Sequence, residues 1–285
     1  MLTQEQMGAT DEARNGEDFG PTQGGLAPGD AWPLPAESCI ELHMKLSILA
    51  TDYDGTLAED GGVSNSTIRA LEDLRRSRRG IILVTGRELP QLLEIFDRTD
   101  LFDWIVAENG ALLYHPATRT KRLLTEPASI VFITELQRRG VAPVSAGDAI
   151  VATWRPHETT VQEVIRELGL KLRITLNKDA VMVLPIGVNK ATGMEAALQE
   201  MKLSWTDIAG IGDAENDLAF LRKCQCSAAV ANALESVKVK TDFVTRAPRG
   251  DGVVEFIHEM LSGDLQARCS ARHETQLAVL SNTSS

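Results

Sequence analysis

Two aspartates separated by one residue, Asp52 and Asp54, end the apolar run 46–51 and are followed by Gly55 and Thr56. A carboxylate so placed can attack an electrophile and form a covalent intermediate. A second one beside it can protonate the leaving oxygen and then take a proton from water. That division of labour suits phosphate monoesters, whose uncatalysed hydrolysis is slow enough to need both groups. Downstream, Thr85-Gly86-Arg87 follows another apolar run, where free N–H groups at a helix start and the Thr85 hydroxyl would cradle an anion. The ammonium of Lys190 would screen the charges of Asp52 and a phosphoryl group. Asp213 and Asp217, four residues apart, would face one way from a helix starting by Ala214. Four carboxylates gathered together repel one another unless a cation sits among them, and Mg2+ prefers such hard oxygen ligands. The expected ligands are the carboxylates of Asp52 and Asp213 and the backbone carbonyl of Asp54. Asp217 either joins them or supports them.

These residues need elements that deliver them to one place. The run 46–51, bounded by turn signals, predicts a buried strand, and ligands of open α/β sheets gather beyond the carboxyl ends of strands. Gly55 permits the sharp turn that lets both acids face one volume. A helix is expected over 66–78, where Ile68, Leu71 and Leu74 recur at helical spacing, with Gly80 closing it. Strands follow at 81–84 and 104–107, the second ending in Glu108-Asn109-Gly110, with a helix between them through Leu92, Leu93 and Phe96. After Gly110 the texture changes to helices at 129–139 and 159–168, a strand at 149–154, and a hairpin of 172–177 with 180–184. Alternation then resumes through a helix carrying Met194, Ala197, Leu198 and Met201 and strands at 208–211, 228–231 and 242–244. A helix at 253–261 closes the series.

Strands alternating with helices predict an α/β fold, a Rossmann-like parallel sheet with helices on both faces. The expected core is 44–111 with 187–261, and 112–186 forms a small α+β cap. Residues 1–43, rich in Gly, Pro, Gln and acids, read as a disordered extension, and 262–285 as a flexible tail. Met44, directly before the first strand, is an expected natural start.

A net charge of −11 over 285 residues argues against a polyanion as partner. No apolar stretch reaches the length of a membrane span and no signal peptide is evident, so the expected location is cytoplasmic, with no membrane partner. The cysteines Cys39, Cys224, Cys226 and Cys269 lack a Cys-x-x-Cys pair and a histidine at zinc-finger spacing, and the expected compartment predicts reduced thiols. The five histidines show no triad or ligand spacing. A calcium loop after Asp52 would need glycine where Leu57 stands, and a dinucleotide fingerprint around Gly210-x-Gly212 would need glycine at Glu215.

Taken in order, Asp52-Tyr-Asp54-Gly-Thr56-Leu, Thr85-Gly-Arg, Lys190 and Gly212-Asp213-Ala-Glu-Asn216-Asp217 resemble the four motifs of haloacid-dehalogenase-superfamily phosphatases. Glu108-Asn-Gly-Ala and Gly187-Val-Asn-Lys190, with the insert between the second and third motifs, resemble the Cof-like IIB branch with its C2 cap. The resemblance implies a Mg2+-dependent phosphatase acting through an aspartyl-phosphate on a small phosphorylated metabolite, of the sugar-phosphate or phosphoglycolate kind. It implies Asp52, Asp54, Thr85 and Lys190 as catalytic residues. Thr85, Gly86, Arg87, Asn109, Lys190 and Asn216 would be the substrate-binding ones, with Arg155 and Lys178 the cap cations of interest. Dehalogenase members lack the second aspartate, so Asp54 favours phosphoryl transfer. A phosphomutase, a non-catalytic phosphometabolite-binding protein and a metal-dependent glycosyltransferase are the competing readings. The last gives no role to Thr85 and Lys190.

Overall fold

The computed structural model describes residues 46–263 apart from Lys178, together with Leu265 and Cys269. The extension expected over 1–43 and most of the tail expected from Ser262 lie outside the described residues. The first half of the larger layer comprises β1 (Ile48–Thr51), α1 (Asn65–Arg76), β2 (Gly80–Val84), α2 (Leu89–Ile95), β3 (Trp104–Ala107), β4 (Leu112–His115) and β5 (Thr120–Leu123). A smaller unit follows with α3 (Ile130–Arg138), β6 (Ser145–Ala146), β7 (Val151–Trp154), α4 (Glu158–Glu167), β8 (Leu172–Asn177) and β9 (Ala180–Pro185). The chain then returns to the first layer with α5 (Lys190–Met201), β10 (Ile208–Gly212), α6 (Leu218–Leu221), β11 (Cys226–Ala229), α7 (Glu235–Lys238), β12 (Phe243–Val244) and α8 (Arg249–Ser262).

The larger sheet has eight strands in the order β12-β11-β10-β1-β2-β3-β4-β5. β1 is buried along its length between β10 and β2, and both pair with it in parallel, Thr51 opposite Ile211 and Leu83. Because these strands run the same way, the residues just past their ends emerge along one edge: Asp52 after β1, Thr85 after β2, Glu108 after β3 and Asp213 after β10. Apolar side chains from both faces, including Leu49, Leu71, Ile82, Phe220 and Phe256, form the main core.

Six strands, β12 to β3, form the expected parallel sheet, and two antiparallel strands extend one edge. A tight turn through Gly110 (φ 99°) sends β4 back antiparallel to β3, and β5 extends the edge. The expected cap boundary at Leu112 moves accordingly, since 112–123 belong to the large sheet. Their buried Leu112 and Leu113 pack in its core. The smaller unit has its own sheet, β6-β7-β9-β8, and its own core, in which Phe132 and Leu136 of α3 meet Val161 and Val164 of α4 over Val151, Val181 and Val183.

Gly80 does not close α1. Ser77 caps that helix and Arg78 takes the left-handed conformation (φ 65°), while Gly80 opens β2 where a Cβ would collide with Asp103 and Ile48. The cysteines also differ from expectation, for Cys226 and Cys269 form a disulfide with Cα atoms 5.6 Å apart, and Cys224 is free and buried. A pair 43 residues apart has no local spacing signature, so only the fold brings it together.

Candidate active site

Lys190 is the first residue of α5, and the helix start is fixed by Asn189. The Asn189 Oδ1 accepts the N–H groups of Ala191 (2.9 Å) and Thr192 (3.2 Å), and Thr192 bonds back in a capping box. From there the Lys190 Nζ reaches Oδ1 of Asp52 and Oδ1 of Asp217, each at 2.5 Å, and all three side chains are buried. A cation at a helix N-terminus and out of water is doubly unfavourable unless acids compensate. Burial alone would pull the Lys190 ammonium down, but the charges of Asp217 and Asp52 outweigh it and hold the pKa above the usual lysine range. Asp52 is pushed well up, by burial first and then by Asp217, with Lys190 pulling the other way and Asp213 adding to the rise.

Asp213 and Asp217 do not share a helix. Ala214 is extended (φ −121°, ψ 166°) and a 3-10 turn spans Glu215–Asp217, so the i, i+4 geometry expected from the spacing is absent. The loop instead curls so that Oδ2 of Asp217 accepts the N–H groups of Asp213 and Ala214, each at 3.0 Å. Both oxygens of Asp217 are thus engaged. Asp213 accepts the Thr56 hydroxyl (3.2 Å), and a Cβ on Gly55 would collide with its carboxylate, which accounts for glycine there. Asp52, Asp213 and Asp217 each offer a carboxylate oxygen, and these oxygens lie within 4.8 Å of one another. A buried set of hard oxygen donors carrying more negative charge than Lys190 can neutralise fits a divalent cation of the Mg2+ kind.

Thr85 is buried, with its backbone committed to Val106 and Asn109 and its hydroxyl accepting the Arg87 N–H (3.1 Å). The helix expected at this point begins later: α2 starts at Leu89 behind Glu88, so Thr85-Gly86-Arg87 is a connecting loop. The guanidinium of Arg87, a residue expected among the substrate-binding ones, makes a two-pronged ion pair with Asp54, Nε to Oδ2 at 2.7 Å and Nη2 to Oδ1 at 2.6 Å, and lies over the Tyr53 ring. Burial works against its charge, and the Asp54 hydrogen bonds outweigh that effect.

The least anticipated contact comes from Glu108. Glu108 (φ 53°), Asn109 (φ 52°) and Gly110 are successive left-handed residues, a conformation that costs on the order of 1–3 kcal/mol for each non-glycine. It turns the buried Glu108 carboxylate toward the smaller unit, where it accepts the N–H groups of Asp148 (2.9 Å), Ala149 (2.8 Å) and Ile150 (3.1 Å). A Cβ on Gly147 would stand 2.7 Å from this carboxylate. Burial pushes the Glu108 carboxyl up, against the pull of the three N–H groups. Its sequence signal was an acid at the end of an apolar strand beside a turn glycine. Asn109 donates to Met182 Sδ (3.0 Å) and accepts from Asn216 (3.1 Å), whose own Oδ1 is buried with no hydrogen bond among the described residues. Arg155 pairs with Glu158 at 3.1 Å, and Lys178 lies outside the described residues.

Between the two sheets lies a cavity of about 370 Å³, lined from the larger one by Asp54, Gly86, Arg87, Glu88 and Gln91, and from the smaller mainly by Pro143, Ile150, Ala152, Trp154, Ala180 and Met182. Among the described residues no helix is long and apolar enough to cross a membrane.

A model of the haloacid dehalogenase-like hydrolases matches residues 49–139 and 158–257. A phosphoglycolate phosphatase of Sulfolobus acidocaldarius is 29% identical over 226 residues, covering 77% of this chain and 99% of that one. A haloacid dehalogenase-like hydrolase from Bacteroides thetaiotaomicron superposes with a TM-score of 0.63 at 18% identity, covering 75% of this chain and 99% of that one. A subclass IIB sugar phosphatase does so with a TM-score of 0.61 at 20% identity, covering 75% and 98%. At such identities the two solved structures speak for the fold.

Proposed function

Since the chain belongs to the haloacid dehalogenase-like hydrolases, we propose that it is a Mg2+-dependent phosphatase of the IIB branch, hydrolysing a small phosphorylated metabolite through an aspartyl-phosphate. Asp52 attacks phosphorus, and the alkoxide that departs takes a proton from Asp54. Water then attacks the phosphoryl group on Asp52 and gives its proton to Asp54, which releases phosphate and restores both acids. Lys190 compensates the charge of Asp52, and Asp217 holds Lys190 and the Asp213 loop in place. The Thr85 hydroxyl and the Gly86 and Arg87 backbone border the phosphoryl position. Asp52 and Asp213 would hold the cation, with Asp217 beside them, and a bound cation neutralises charge developing on phosphoryl oxygens. The unit built on the smaller sheet acts as the cap.

The observation that carries this reading is the buried Lys190 bridge to Asp52 and Asp217 beside Asp213. Such a group of charges is costly to build into a fold. The relatives named for phosphoglycolate support a small phosphorylated substrate. Phosphate release from a panel of phosphorylated metabolites should require Mg2+ and fall at least about 10⁴-fold in Asp52→Asn, whose thermal melt stays cooperative. Undiminished release by that variant overturns the assignment of the nucleophile.

A further inference from the structure

The cavity between the sheets is where the departing alcohol must lie, because Asp54, read above as its proton donor, forms part of the wall. The opposite wall follows from strand alternation. β7 and β9 pair with Ala152 opposite Met182 and Trp154 opposite Ala180, so these four side chains share one face of the small sheet. Val151, Val181 and Val183 point to the other face, into the core under α3 and α4. The face turned to Asp54 is therefore made of Ala152, Trp154, Ala180 and Met182, with Ile150 and Pro143 beside them. Trp154 is 53% exposed, an expensive posture for the largest apolar side chain unless something covers it.

Charge narrows the occupant further. Among the described residues lining the cavity, Arg87 is the sole cation, and its guanidinium is taken by Asp54 through two hydrogen bonds. Glu88 adds a second acid, and its carboxylate accepts from Gln91, which also reaches the Ser145 hydroxyl. The hydroxyl of Thr153 is spent on the Pro143 carbonyl (2.7 Å). A carboxylate on the leaving group would thus meet Glu88 and Asp54 with no uncommitted guanidinium or ammonium among the described lining residues. A ring would meet an indole, a thioether and methyl groups, the partners aromatic faces prefer.

We propose that the substrate's leaving group is a neutral alcohol bearing a flat apolar ring, seated against Trp154 and Met182 with its oxygen toward Asp54. This rests on the phosphatase reading of the site and departs from the carboxylate-bearing alcohol for which the sequence relatives are named. Trp154 is a specificity-determining residue of the cap.

The test compares benzyl phosphate, ethyl phosphate and phosphoglycolate with Mg2+ present. Benzyl alcohol and ethanol leave with similar basicity, so their difference reads the cavity and not the chemistry. The expected result is a kcat/KM for benzyl phosphate about tenfold or more above that of the other two. Trp154→Ala should lower the benzyl-to-ethyl ratio about tenfold, mainly through KM, and Trp154→Phe should restore most of it. A wild-type preference for phosphoglycolate or ethyl phosphate, or a ratio that Trp154→Ala does not move, overturns the inference and leaves the phosphatase standing. Release of phosphate from none of the three overturns this inference, and the metabolite panel then decides the phosphatase reading separately.

Discussion

The two ends of the site are built on opposite plans. At one end Asp52, Lys190, Asp213 and Asp217 are buried and charged, bound to one another or to nearby backbone and side-chain groups. At the other, Trp154, Met182, Ile150 and Pro143 offer shape and apolar surface, and hydrogen bonds take little part. The charged end has almost no freedom to vary, since each group compensates another and removing one leaves its partner uncompensated out of water. The apolar end can change its shape one side chain at a time at modest cost. A constant reaction and an adjustable leaving group are what such a division provides.

The sharpest break of this contrast is at Lys190. Lys190→Met leaves Asp52 and Asp217 facing each other in a buried site, and should abolish phosphate release and cost about 3–5 kcal/mol in urea unfolding. If the variant unfolds like wild type, the charged end is not the rigid one. Arg87 decides where the border runs. As an anion ligand it would act on KM, but paired to Asp54 it positions the acid, so Arg87→Met should lower kcat about tenfold or more and change KM little.

Glu108 ties the two ends together. Glu108→Ala leaves three N–H groups without their acceptor, and exchange of the amides of Asp148, Ala149 and Ile150 should quicken by about ten- to a hundredfold. Unchanged protection there would mean that contacts other than the Glu108 carboxylate hold this loop to the larger sheet. The smallest effect belongs to the outside of the small unit, where Arg138 and Arg139 hold the Glu135 carboxyl down to about 2. A carboxyl depressed in the folded state supports the fold above its unfolded pKa and loses that support as pH falls through the folded one. Melting temperature should therefore decline between about pH 4.5 and 2 partly through this group, with a shallower decline in Glu135→Gln.

Legibility in the sequence follows the same division. Asp52 and Asp213 are readable because each follows an apolar run, whereas Lys190 and Asp217 gain weight only from the order of the motifs; the structure brings the four side chains together. What misled was local geometry. The spacing of Asp213 and Asp217 fitted a helix but serves a loop folded on its own carboxylate, and Thr85-Gly86-Arg87 reads as a helix start two residues too early. Arg87 could not be placed because nothing in a linear chain says which anion a guanidinium will meet. The antiparallel return of β4, the disulfide and the apolar wall all depend on contacts distant in sequence. Ala152, Trp154, Ala180 and Met182 become a surface only once β7 and β9 are paired in one register.

The clasp at Glu108 bears on how the smaller unit can be exchanged. The acid belongs to the larger sheet, and the three N–H groups and the glycine it closes over belong to the smaller one. A chimera that brings in a smaller unit with any side chain at position 147 drives a Cβ into the Glu108 carboxylate. One that sets this unit on a larger sheet without an acid at 108 strands the donors. The two halves are therefore not interchangeable modules, and the smaller unit can be transplanted only together with the residue beneath it.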